Sequence, residues 1–150
     1  MNHSLPTSGD IAHVRRLWLH RAIGKERKNY SVMKLSTQGL LLLHDIEKAF
    51  CAGAWLSVIV LAYAVVDATL RDITTGDYRS KTAELYDSSP ELEWLRNLRN
   101  QVVHVSAPGT PSTLWKLPPS DLMGCHNALE PEAKRAVTLA YRQVYAQAGT

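Results

Sequence analysis

Sheet-forming signals are almost missing from this chain. Strict alternation of apolar and polar residues is rare, whereas apolar residues recur every three or four positions, the spacing of helices with one buried face. No phosphate-cradling P-loop, Gly-rich dinucleotide fingerprint or nucleophile elbow occurs, so the chemistry those strand-turn-helix devices support is not expected. Internal repeats are absent too, which sets solenoids aside. Cysteine is scarce. Cys51 and Cys125 show neither disulfide nor zinc-ligand spacing, and the chain starts without a secretory signal. Free thiols in a reducing cytoplasm are the simplest expectation. Excess charge of one sign is also lacking: 17 basic against 14 acidic residues give +3, which permits a polyanionic partner without requiring one.

What is present is enough apolar residue for one core. With 150 residues, 45% of them hydrophobic, the chain fits a single all-α globular domain. Its longest uncharged run, residues 49–66, has 18 positions, the lower edge for a membrane span. Alanine is frequent in it, Gly53 and Ser57 add polarity, and Lys48 and Asp67 bound it tightly. A helix at the centre of a bundle needs the same all-round apolarity, so no membrane is expected.

In chain order, residues 1–10 are turn formers that read as a disordered lead-in. Residues 11–35 read as a basic helical extension, with Ile11, Val14, Leu17, Trp18 and Ala22 as its apolar stripe. Arg15, Arg16, Arg21, Lys25, Arg27, Lys28 and Lys34 face only one acid, Glu26. Such a concentration is either a solvated face or an electrostatic arm for RNA, with Trp18 and Tyr30 available for stacking. Ser36 or Thr37 can cap a second helix through residue 50. His44 and Glu47 there could share a metal, but the second pair that a di-metal bundle needs is missing. Gly53 marks a turn into an apolar helix over residues 54–74, closed by Thr75-Gly76-Asp77. On that helix Asp67 either pairs locally with Arg71 or reaches across the bundle to orient Arg99 or His104.

A short helix over residues 80–86 leads to the next start signal. Ser88, Ser89 and Pro90, with Glu91 and Glu93 in the first turn, open a helix whose apolar arc carries Leu92, Leu95, Leu98, Val102 and Val103. Arg96, Asn100 and His104 fall on a neighbouring line. Arg99 projects at the margin of the arc, where a guanidinium either snorkels into water or is held at a cleft or subunit seam facing an anion. A histidine at a helix end can be a cap or a proton carrier. The following segment to Asp121 holds four prolines, Trp115 and Lys116, and is a surface connector or a semi-rigid flap. Glu130-Pro131-Glu132 opens a last helix to about residue 147.

Arg99-Asn100-Gln101-Val102-Val103-His104 resembles the signature of the HEPN superfamily, in which Arg, a polar residue and, after a short spacer, His lie on the third long helix of an all-α bundle. Residues 52–71, running from Gly53 through small and aliphatic residues to Asp67 and then Leu70-Arg71, are similar to another helix of that family. The resemblance covers roughly residues 37–147. It implies a HEPN-like bundle of four to five main helices over residues 36–150, behind the basic extension.

It further implies a metal-independent endoribonuclease without a cofactor, working at a composite homodimer site. His104 is general base or acid, Arg99 stabilises phosphate, Asn100 positions, and Asp67 and Arg96 support. Products carry a 2′,3′-cyclic phosphate and a 5′-hydroxyl. RNA is the implied partner, and a toxin or phage-defence role brings a separately encoded antitoxin or regulator. Other family members are non-catalytic modules that dimerise and bind nucleotide, RNA or protein, and that reading stays open. Many members carry a tyrosine two residues after the histidine; here that position is Ser106, so regulation by its modification is not carried over.

Overall fold

The computed structural model describes residues 4–28, 35–73, 84, 86–104, 114–115, 117–118 and 120–146. Among them the regular elements are helices: α1 (Ser8–Arg27), α2 (Thr37–Ala52), α3 (Trp55–Ile73), α4 (Pro90–Val103), α5 (Leu122–Asn127) and α6 (Glu130–Ala146). Residues 86–88 add a helical turn before α4. No helix among the described residues is long and apolar enough to cross a membrane.

The starts follow local chemistry. Ser36 caps α2 by accepting from the Gly39 amide at 3.1 Å, and Ser89 caps α4 by accepting from the Leu92 amide at 3.3 Å, with Pro90 next in line. α1 begins at Ser8 rather than near Ile11. Thr7 and Asp10 form a reciprocal cap: the Asp10 amide donates to Thr7 Oγ1 at 3.2 Å, and the Thr7 amide donates to Asp10 Oδ2 at 3.0 Å. The Thr7 hydroxyl also donates to that carboxylate, which holds Asp10 below its ordinary pKa. The stretch expected as a lead-in therefore already contains the first helical turn. α5, capped by Asp121 on the Gly124 amide at 2.9 Å, follows the expected connector, in residues for which the sequence suggested no element.

α3 is the centre of the bundle. Val58, Ile59, Ala62, Val65, Val66 and Leu70 are all buried, and the helix packs most extensively on α6 and α2, and also on α4. The apolar run of the sequence is thus the core helix that its composition called for. Its buried Thr69 is satisfied within the helix, Oγ1 donating to the Val65 carbonyl at 2.8 Å. α6 supplies Ala133, Ala136, Val137, Ala140 and Val144, small residues that let it approach α3 closely.

α1 is no detached extension, because it packs on α2 and α6 and buries Leu19 completely. The stripe expected from periodicity is rotated, however. Ile11, Val14 and Leu17 are exposed at 38%, 65% and 44%, and the inward arc runs through Arg15, Trp18, Leu19 and Ile23. Aromatic packing decides the rotation. The chain's one phenylalanine, Phe50, stacks on Trp18 at 5.2 Å and meets Trp55 edge-on at 5.3 Å, joining α1, α2 and α3.

The reversal between α2 and α3 completes this corner. Gly53 lies at φ 71°, with the Gly53 amide donating to the Phe50 carbonyl at 3.0 Å and the Ala54 amide to the Ala49 carbonyl at 2.9 Å, a Schellman arrangement. Arg15 reaches in from α1, donating to the Cys51 carbonyl at 3.3 Å while its guanidinium lies 5.1 Å over the Trp55 ring. A Cβ on Gly53 would fall 2.6 Å from that guanidinium carbon. Glycine is needed here twice, for its backbone angle and for the space that Arg15 fills.

Gly53→Ala is expected to lower stability by about 1–3 kcal/mol, from left-handed strain alone and more from overlap. Arg15→Ala removes one charge-assisted hydrogen bond and one cation–π contact and is expected to cost about 1–3 kcal/mol. The double variant should cost less than the sum, since vacating Arg15 makes room for the methyl. Thermal denaturation of the four proteins checks this; strict additivity would refute it.

Candidate functional site

α4 carries the motif. Leu92, Leu95 and Leu98 seat it on the core, Val102 packs partly, and Val103 emerges 40% exposed at the end of the arc. This orientation leaves Arg96 and Arg99 half-buried and Asn100 and His104 exposed.

The two arginines lie on a pair of tyrosines. Arg99 is centred 5.2 Å over the Tyr63 ring of α3, Tyr63 stacks on Tyr86 at 5.8 Å, and Arg96 lies 5.5 Å over Tyr86. The result is a cation–ring–ring–cation stack between α3, α4 and the turn before α4. Each guanidinium gains from the negative face of its ring, roughly 0.5–1 kcal/mol at partly exposed positions. Their remaining donors differ. Arg96 Nη2 donates to Asp87 Oδ1 at 3.1 Å, so its charge is neutralised. Arg99 Nη1 donates to the neutral Asn100 Oδ1 at 3.0 Å, and among the described residues no carboxylate pairs with it. Arg99 is thereby the held but uncompensated cation of this helix.

His104 is the C-cap of α4, at φ −113° and ψ 136°, its amide donating to the Asn100 carbonyl at 3.0 Å. The chain leaves the helix at His104, whose backbone is extended. Residues 105–113, including Ser106, lie outside the described residues, as do Tyr30, Lys34 and Lys116.

Asp67 takes the local pairing. Its Oδ2 accepts from Arg71 Nε at 3.2 Å, one helical turn away, and it lies one turn beyond Tyr63 on α3. Arg99 itself is oriented by the Tyr63 ring and Asn100.

The basic residues of α1 divide into three groups. Arg15 is structural, spent on the α2 terminus and Trp55. Arg16 stands 4.0 Å from Glu47, which also meets His20 Nε2 at 3.2 Å. Glu47 therefore ties α2 to α1, while His44 lies beside Asp45 at 3.7 Å. Among the described residues no three metal-ligating side chains converge. Arg21, Lys25 and Lys28 line a groove between α1 and α6, and Arg27 lines another with His20 and Ile23.

Arg142 on α6 clips the bundle shut at 3.3 Å from Glu26 of α1 and 3.1 Å from Glu91 of α4, and the Glu26 hydrogen bond raises its pKa further. Burial, with the nearby Glu47 carboxylate, likewise raises the Tyr141 pKa. Neither group lies on the motif.

Sequence reasoning missed Tyr63 and Tyr86. The available signal was Tyr63 itself, a ring with a polar tip one turn before Asp67 in an otherwise aliphatic run. No protein-family model matches this chain, nor does any curated protein or solved structure.

The stack predicts that Tyr63→Phe leaves stability within about 0.5 kcal/mol of the parent, because the ring stays. Tyr63→Leu should remove the upfield ring-current shift of the Arg99 side-chain protons in an NMR spectrum, while Tyr63→Phe keeps it. Unchanged Arg99 shifts in Tyr63→Leu would exclude the stack.

Proposed function

We propose that this protein is a metal-independent endoribonuclease of the HEPN type, with Arg99 and His104 as its working pair. The observation that carries the reading is Arg99, a guanidinium held by the Tyr63 face and Asn100 with no carboxylate among the described residues to neutralise it, on the same helix end as an exposed histidine. A fixed cation with donors to spare suits a phosphate, which accepts in the planar fork geometry that arginine offers.

The chemistry needs few parts. A base takes the proton of the ribose 2′-hydroxyl as its oxygen bonds to phosphorus, and the bond to the 5′-oxygen breaks. That oxygen takes a proton from an acid, leaving a 2′,3′-cyclic phosphate and a 5′-hydroxyl. His104 serves as base or acid, and Arg99 meets the charge that grows on the non-bridging oxygens. Asn100, an acceptor for Arg99, keeps its amide donors for the scissile group. Arg96 supports by filling the far end of the tyrosine stack.

A homodimer supports the other half of the acid–base pair, with His104 of a second copy across a two-fold seam. The partly exposed Val103 beside Arg99 and His104 is the apolar contact available for such a seam. A toxin or defence effector held by a separately encoded partner is the setting the resemblance suggests. The alternative is a non-catalytic binding module, which keeps the Arg99 anion site and dispenses with His104.

Incubation with total RNA and tRNA in excess chelator tests the proposal. The parent is expected to cut, with cyclic phosphate ends, while Arg99→Ala and His104→Ala each lose at least about 100-fold in rate. Light scattering should show the same assembly for all three proteins. If His104→Ala cuts as fast as the parent, the nuclease assignment falls; binding without cutting by the parent favours the module.

A further inference from the structure

A groove of about 580 Å³ runs between the C-terminal half of α1 and α6, remote in sequence from the motif helix. Trp18, Ala22 and Thr138 are among its lining residues, and Arg21, Lys25 and Lys28 stand along its α1 side. On a helix these three fall within about 60° of one another and span about 10 Å of axis. They are exposed, and among the described residues none of them pairs with a carboxylate. Among the described lining residues the one acid, Glu26, is already engaged by Arg142 at 3.3 Å. The groove therefore presents three uncompensated cations in a row beside a mainly apolar floor. Trp18 is committed to Phe50 and Lys134, so it walls the groove rather than opening a ring face for stacking.

We infer that this groove is an RNA-docking site that holds a few consecutive phosphates of a single strand along Arg21, Lys25 and Lys28. The choice of RNA among polyanions rests on the ribonuclease reading; the position of the site does not. A single strand fits the arrangement because its backbone charges can track one line of cations along a groove. Arg15, Arg16 and Arg27 are outside the groove, which narrows the basic stretch of α1 to half of its cations.

The test is fluorescence anisotropy with a labelled 2′-O-methyl RNA 12-mer, which lacks the free hydroxyl needed for cyclisation and stays intact whether or not the protein is a nuclease. The parent should bind with a salt dependence that the combined variant Arg21→Gln, Lys25→Gln, Lys28→Gln flattens by about 2 in the slope of log K against log salt. Its affinity at 0.1 M salt should fall at least about tenfold. Lys48→Gln, an exposed cation on α2, should leave both unchanged, and polyglutamate of equal length should not compete. Circular dichroism establishes that the triple variant is folded, and Lys25→Gln alone should show about one third of the slope change. An unchanged slope in the triple variant, no binding by the parent, or equal competition by polyglutamate each overturns the inference. Cleavage of unmodified RNA by parent and His104→Ala is read separately, so failure of the nuclease assignment is distinguishable from failure of the groove.

Discussion

The bundle depends on the corner where α2 turns back into α3. One left-handed glycine reverses the chain, and the space its missing side chain leaves is filled by the Arg15 guanidinium, which satisfies the Cys51 carbonyl. Phe50 and Trp55, on either side of the turn, close on Trp18 from α1. A helix terminus needs partners for its last carbonyls, and here a side chain from another helix supplies one. The same contact therefore ends α2, starts α3 and docks α1. α3, placed by this corner, forms the floor on which the motif helix lies.

The position of α4 follows from that floor. Its leucines face α3, which brings Arg99 over Tyr63 instead of into the core, and the Tyr63–Tyr86 stack continues to Arg96. The difference between the two arginines is one carboxylate. Asp87 neutralises Arg96, whereas among the described residues Arg99 meets an amide oxygen and no carboxylate. Holding a charge without cancelling it keeps electrostatic attraction for a ligand and lowers the entropy lost when the ligand arrives. That is the physical content of the anion site proposed for Arg99.

The all-helical class, the caps at Ser36 and Ser89, the turn at Gly53, the core role of residues 55–73 and the last helix were legible in the chain. Each depends on residues within a few positions of one another: a hydroxyl three before an amide, a glycine at a helix end, an apolar repeat. The helix that carries Arg99 and Asn100 was legible for the same reason. Which face of α1 is buried was not. The expected stripe and the buried arc share Trp18, and Phe50, distant in sequence, stacks on that ring, with Leu19 and Ile23 buried beside it in place of Val14 and Leu17.

By itself, then, the order of residues determined where helices begin and end and which helix must be central, because capping and periodicity are short-range. Only the tertiary structure decided what the charges do. Asp67 paired with Arg71, Arg15 became a cap, Glu26 was taken by Arg142, and Arg99 was laid on a tyrosine ring. A charge is neutral, buried or available according to what approaches it from other helices, and no spacing along one helix contains that information.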